Sequence, residues 1–133
     1  MITFYATSSF IGRVKRLKKV RRGVYSSVEE DVKAAFSGQD IESVRANRDM
    51  ILMVDQLLVI KLRLPDTSQR LSKKDGYRLI YLVSKISETV VFLDIYPKNG
   101  PEQQLSINNN ALKLLIKEFI DESTSGTLAT YTI

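Results

Sequence analysis

The 133-residue chain has no cysteine and no histidine. Without cysteine there is no disulfide, no thiolate nucleophile and no zinc–thiolate site. Without histidine every Ser–His, Cys–His and His–metal arrangement is excluded. Any chemistry therefore falls to Lys, Arg, Tyr, Asp, Glu, Ser or Thr. No apolar run approaches the roughly eighteen residues of a membrane-spanning helix. The N-terminus also lacks the basic start and apolar core of a secretory signal. It is acid-free as far as Glu29 and carries Arg and Ser, a superficial likeness to a transit peptide. Because Ile2-Thr3-Phe4-Tyr5 reads as a strand, we take it as part of the fold and expect a cytoplasmic protein.

What is present suits one domain with one core. Hydrophobic residues make up 44% of the chain, an ordinary globular share. The net charge of +5 is modest but unevenly spread. Residues 1–22 hold seven cations (Arg13, Lys15, Arg16, Lys18, Lys19, Arg21, Arg22) and no acid. Residues 61–85 hold seven more (Lys61, Arg63, Arg70, Lys73, Lys74, Arg78, Lys85) against Asp66 and Asp75. A surface cationic on one side is the usual footprint for a nucleic acid. A solvated helix face with scattered strand charges reads the same way in composition.

Residues 2–6 read as a strand. A helix follows from Ser8 or Ser9 to Arg22-Gly23, with Phe10, Val14 and Leu17 on its apolar face and cations on the other. A second helix runs from Ser26 or Ser27 to Phe36, with Glu29, Glu30 and Asp31 in the first turn, where the helix dipole favours them. Asp40 caps a short helix with Ile41 and Val44 inward. Residues 50–54 are an apolar run that is either a buried strand or a helix end, and Asp55-Gln56 turns it into the next element. Strands are expected over residues 57–64, 77–84 and 89–96, the last two as a hairpin. A helix over 110–122 turns Leu112, Leu115, Ile116, Phe119 and Ile120 inward. Residues 123–133 are a tail whose end is β-prone. The pattern predicts an α+β domain with an antiparallel core sheet and helices packed on one face.

Three motifs carry a resemblance. The first is the basic strand Lys61-Leu62-Arg63-Leu64. The second is Leu71-Ser72-Lys73-Lys74-Asp75-Gly76-Tyr77-Arg78-Leu79-Ile80-Tyr81, and the third is Leu93-Asp94-Ile95-Tyr96-Pro97-Lys98. In this order, after an αα-hairpin, they resemble the RelE/ParE superfamily of toxins from type II toxin–antitoxin systems, nearest to the RelE- and HigB-like mRNA interferases. The likeness covers about residues 2–122. It implies a RelE-like small domain: an N-terminal strand and αα-hairpin, then an antiparallel sheet and a C-terminal helix. It also implies an endoribonuclease that cuts mRNA on the ribosome, arrests growth by inhibiting translation, and is neutralised by a cognate antitoxin protein. No cofactor, metal or membrane is implied. ParE-like members act on DNA gyrase instead, and a non-catalytic interaction module of the same fold is a further alternative.

Carried onto this chain, the resemblance makes Arg78 the catalytic arginine and Lys61 a strand lysine of the active site. Arg63 is its neighbour on the same face, and Lys98 is the cation of the following loop. The chain departs from the RelE pattern in two places. Asn99-Gly100-Pro101 stands where a further loop arginine is expected, and the only C-terminal tyrosine is Tyr131.

The residue chemistry agrees. Cleavage by the 2′-OH needs that hydroxyl deprotonated, charge on phosphorus-bound oxygens stabilised and the 5′-oxygen helped to leave. Arginine's planar fork suits phosphate oxygens, so Arg78 takes the second task with Arg63 assisting. A lysine among cations has its protonated form disfavoured, so Lys61 is a candidate base or, if protonated, an electrostatic stabiliser. Lys98 anchors phosphate or assists the leaving oxygen. Arg70, Lys73, Lys74 and Tyr96 are candidate RNA contacts. Lys73 and Lys74 read equally well as a solvated turn, and Tyr96 reads equally as core or as a base-stacking ring. Tyr77 and Tyr81 read as core. The other structural reading of Arg63 and Arg78 is a solvent-facing edge or salt bridges to Glu88 or Asp94. The basic segment 13–22 approaches ribosomal RNA or an acidic antitoxin segment, or serves solubility.

Overall fold

The computed structural model describes residues 1–46, 49–54 and 57–133. Strand β1 (Thr3–Ala6) leads into helix α1 (Ser8–Lys18), and a 3-10 turn at Arg21–Gly23 precedes α2 (Val28–Phe36) and α3 (Ile41–Arg45). Strands β2 (Asp49–Val54), β3 (Leu57–Leu64), β4 (Tyr77–Ser84) and β5 (Thr89–Pro97) follow, then α4 (Asn109–Ser125) and β6 (Ala129–Thr130). The six strands form one sheet in the order β2-β3-β4-β5-β1-β6. Pairing is antiparallel from β2 to β5, whereas β1 joins β5 in parallel, so the sheet is mixed.

Local signals explain most boundaries. Thr7, not Ser8 or Ser9, caps α1: its Oγ1 accepts from the Phe10 amide at 3.4 Å. Ser8 and Ser9 instead donate, through hydroxyl and amide, to the carboxylates of Glu122 and Glu118 on α4. α1 ends at Lys18, and Arg22 in the following turn takes a φ of 64°. Asp40 caps α3 through the Ser43 amide at 2.8 Å, and Val44 is inward, as expected. The apolar run at 50–54 is a strand. The expected turn at Asp55-Gln56 lies outside the described residues.

The helices do not share one face. Phe10, Val14, Leu17, Val32 and Phe36 pack with Tyr77, Leu79, Tyr81 and Phe92 on one side of the sheet. Leu112 of α4 packs with Val59, Ile80, Leu82 and Leu93 on the other. Strand alternation allows this because β4 and β5 are apolar on both faces. Each such side chain contributes roughly 1.5–3 kcal/mol of transfer free energy. α4 covers its face incompletely: only Leu112 is buried, and Ile120, expected inward, is 53% exposed. No helix among the described residues is long and apolar enough to cross a membrane.

The tail docks. β6 pairs with β1, and Tyr131 packs edge-on against Phe10 and Phe92 at 5.6 and 5.3 Å while its hydroxyl donates to Glu29. This lone C-terminal tyrosine is therefore half-buried and packs against the core of the α1–α2 face.

Candidate nucleic-acid interface

Register decides which side chains meet. Arg63 opposes Arg78, and Arg78 opposes Tyr96. One step along, Lys61 opposes Ile80, and Ile80 opposes Asp94. Alternation turns Lys61, Arg63, Arg78 and Tyr96 to the α4 face, together with Val59 and Leu82. Neighbouring strands lie about 4.8 Å apart, so two basic strands carry their cations at side-by-side positions.

Arg78 is nearly buried, at 9% exposure. Its Nη1 donates to the carbonyls of Lys73 and Tyr77, each at 3.1 Å, and Nη2 donates to the Lys74 carbonyl at 2.8 Å. Charge-assisted bonds of this kind are strong, so Arg78 holds the β3–β4 loop as well as supplying charge. The loop is also pinned at Gly76: a Cβ there would stand 2.2 Å from the Leu64 carbonyl oxygen and 2.7 Å from the Asp66 amide. Its other end is held by two buried carboxylates. Asp31 accepts from Ser27 and Thr67, and Asp66 accepts from Ser68 and Gln69.

Lys98 follows β5 directly. Its amide donates to the Gly76 carbonyl at 2.8 Å and its ammonium to the Leu105 carbonyl. Its pKa is lowered, first by burial and then by the charges of Arg78 and Lys61. That electrostatic coupling ties the loop lysine to the strand cations. Lys61 is half-buried and Arg63 is exposed.

The remaining expected contacts divide. Lys73 and Lys74 are exposed, and Lys73 borders, with Arg63, Leu62 and Gln39, a groove of about 460 Å³ between α2, α3 and β3. Arg70 is exposed in the turn closed by the Asp66–Leu71 bridge, at a φ of 58°. Tyr96 is 1% exposed and packs in the same cluster as Leu93 and Leu112. Its ring is core and offers no face to a base. Tyr77 and Tyr81 are core as well.

Two residues take parts that the sequence did not show: Asp94, read there only as a salt-bridge partner for Arg63 or Arg78, and Tyr25. Asp94 is 6% exposed and 3.6 Å from the Arg13 guanidinium. Burial raises its pKa against the pull of Arg13, and Glu118 adds to the rise. A β-bulge brings it to this face: Ile80 opposes Asp94 and Tyr81 opposes Phe92, leaving Leu93 as the extra residue. The signal was an aspartate inside an otherwise apolar strand. The second is Tyr25, a core tyrosine whose hydroxyl meets the loop that carries Lys98. Within the basic segment Arg13, Arg16 and Lys18 pair with Asp94, Glu102 and Glu29, while Lys15, Lys19, Arg21 and Arg22 are exposed.

Compared with protein-family models, with curated proteins and with solved structures, the chain matches none.

Proposed function

We propose that this protein is a RelE/HigB-like toxin, a ribosome-associated endoribonuclease that cleaves mRNA without a metal and is neutralised by a cognate antitoxin. The observation that carries the reading is the register of β3, β4 and β5, with Lys61, Arg63 and Arg78 at adjoining positions of one face and Lys98 coupled to them electrostatically. Such a group holds a phosphodiester and stabilises the charge that builds on its oxygens. In the reaction the 2′-oxygen attacks phosphorus as its proton leaves. The bond to the 5′-oxygen breaks and that oxygen is protonated, giving a 2′,3′-cyclic phosphate and a 5′-hydroxyl.

Arg63 and Lys61 are assigned to the phosphate. Lys98, whose charged form is disfavoured, is assigned to proton transfer in place of Lys61. Mapping RNA ends after induced expression tests the reading: wild type leaves mRNA cut within codons and growth stops, whereas an Arg63→Gln, Lys98→Ala protein leaves it intact. Intact mRNA in arrested wild-type cells would refute it.

One observation favours a second reading. The Arg78 guanidinium is turned onto the carbonyls of its own loop, which suits a binding module of the same fold, including a ParE-like protein that acts on gyrase. DNA supercoiling assays with purified protein separate the two.

A further inference from the structure

One phenol bonds the loop after β5 at two points. Tyr25, fully buried between α1 and α2, donates from its hydroxyl to the Asn99 carbonyl at 2.8 Å. The same oxygen accepts from the Glu102 amide at 3.0 Å. Gly100 lies between these two partners at a φ of 94°, and a Cβ there would stand 2.4 Å from the Tyr25 oxygen. The fit is therefore specific to a tyrosine facing a glycine. Around this joint Arg16 pairs with Glu102 at 2.7 Å and the Asn99 side chain donates to the Asp75 carbonyl at 2.7 Å. The Gln104 amide closes the loop on the Pro97 carbonyl at 2.9 Å. Lys98 is the residue immediately before Asn99, and its ammonium reaches forward to the Leu105 carbonyl inside the same loop.

We infer that Tyr25 is the positioning residue of the cationic site: through the Asn99 carbonyl and the Glu102 amide it sets the loop that holds Lys98 beside Arg78 and Lys61. The inference rests on the assignment of Lys98 to that site. A phenol hydroxyl is suited to the task because it donates and accepts at once, so one atom fixes the loop at two points three residues apart. Phenylalanine keeps the ring, and with it the packing on Tyr77 at 6.2 Å, but loses both bonds. The loop then loosens without a hole in the core.

The test follows the Lys98 titration by NMR in protein labelled at the lysine ε-carbons, with no RNA present. In wild type Lys98 titrates below an ordinary lysine because burial and the neighbouring cations disfavour its charge. In Tyr25→Phe it is expected to move up toward the ordinary value, since the loop no longer holds it against Arg78 and Lys61. A folded Tyr25→Phe protein with the Lys98 titration unmoved would overturn the inference. Gly100→Ala approaches the same joint from the loop side and should shift Lys98 in the same direction, so the test survives if one variant fails to fold. A second arm measures cleavage of a single-stranded RNA oligonucleotide. Tyr25→Phe should lower the rate about tenfold in wild type and hardly at all when Lys98 is already alanine, the non-additivity expected of coupled residues. Fully additive losses count against the inference. Absence of cleavage in wild type counts against the proposed nuclease alone, and the titration still decides the role of Tyr25.

Discussion

Arg63 and Arg78 stand directly opposite each other on β3 and β4. Like charges at opposed positions of an antiparallel pair are destabilising, by up to about 1 kcal/mol against neutral partners. Arg78 is nearly buried and donates to three backbone carbonyls; Arg63 lies at the exposed surface. The pairing sets two guanidinium groups at one place in the sheet, and the exposed one, Arg63, is the most direct place to test the site.

Arg63→Gln removes one of the two facing charges. Affinity for a single-stranded RNA should fall, and the slope of log affinity against log salt should become shallower by about 0.7, the value for one phosphate contact on a single strand. An unchanged slope would take Arg63 off the phosphate.

Arg78→Ala leaves the Lys73, Lys74 and Tyr77 carbonyls without their donor. Hydrogen bonds to a charged group contribute about 1.5–3 kcal/mol, so a loss of about 2–4 kcal/mol is expected in denaturant unfolding. The amides of Asp75 and Gly76, which bond back to the Ser72 carbonyl, should exchange faster. Arg78→Lys restores the charge but not the planar fork and should recover little of the stability. A folded Arg78→Ala protein that is still fully toxic would remove Arg78 from the site.

If Lys98 transfers the proton, its neutral form is the active base. Cleavage should then rise with pH and level off above the lowered pKa of Lys98. Burial, Arg78 and Lys61 all lower that pKa. Removing the Lys61 charge must therefore raise it, and in Lys61→Gln the rising limb of the pH–rate profile should move to higher pH. Movement in the opposite direction, or none, would exclude Lys98 as the base.

Gly76→Ala places a methyl group against backbone at 2.2 Å from the Leu64 carbonyl oxygen. The surroundings are main chain and cannot rotate away. A loss of about 2–3 kcal/mol is expected, with a lower melting temperature and a weakened β3–β4 loop. Gly12, which has nothing within 4 Å of its would-be Cβ, is the matched control: Gly12→Ala should leave stability unchanged or raise it by up to about 1 kcal/mol, as in other helix interiors.

Period and punctuation made most elements readable in advance. The Val-, Ile- and Tyr-rich runs of β4 and β5, Pro65 after β3 and the Asp40 cap of α3 are all local signals, and each one holds in the structure. Thr7 caps α1 where the sequence points to Ser8 or Ser9, because all three offer the same chemistry and the partners of the two serines are carboxylates about 110 residues away. Helical spacing places Ile120 on the apolar stripe but does not say how much of that stripe the sheet covers, and Ile120 is exposed. Tyr96 read equally as platform or core, since burial of a strand-end ring depends on what α4 places over it.

Sequence alone established the absence of cysteine and histidine chemistry, the two clusters of cations and the alternation that turns Lys61 and Arg63 to one side of their strand. Those are properties of composition and of a period of two residues. Tertiary structure decided the rest. A register between strands turned two arginines about fifteen residues apart into direct neighbours, and a single-residue bulge moved Asp94 across the sheet. One phenol hydroxyl bound the loop of Lys98 from 74 residues away. Such relationships depend on which backbones pair and in what alignment, and that alignment is set by the packing of the whole core rather than by any segment within it.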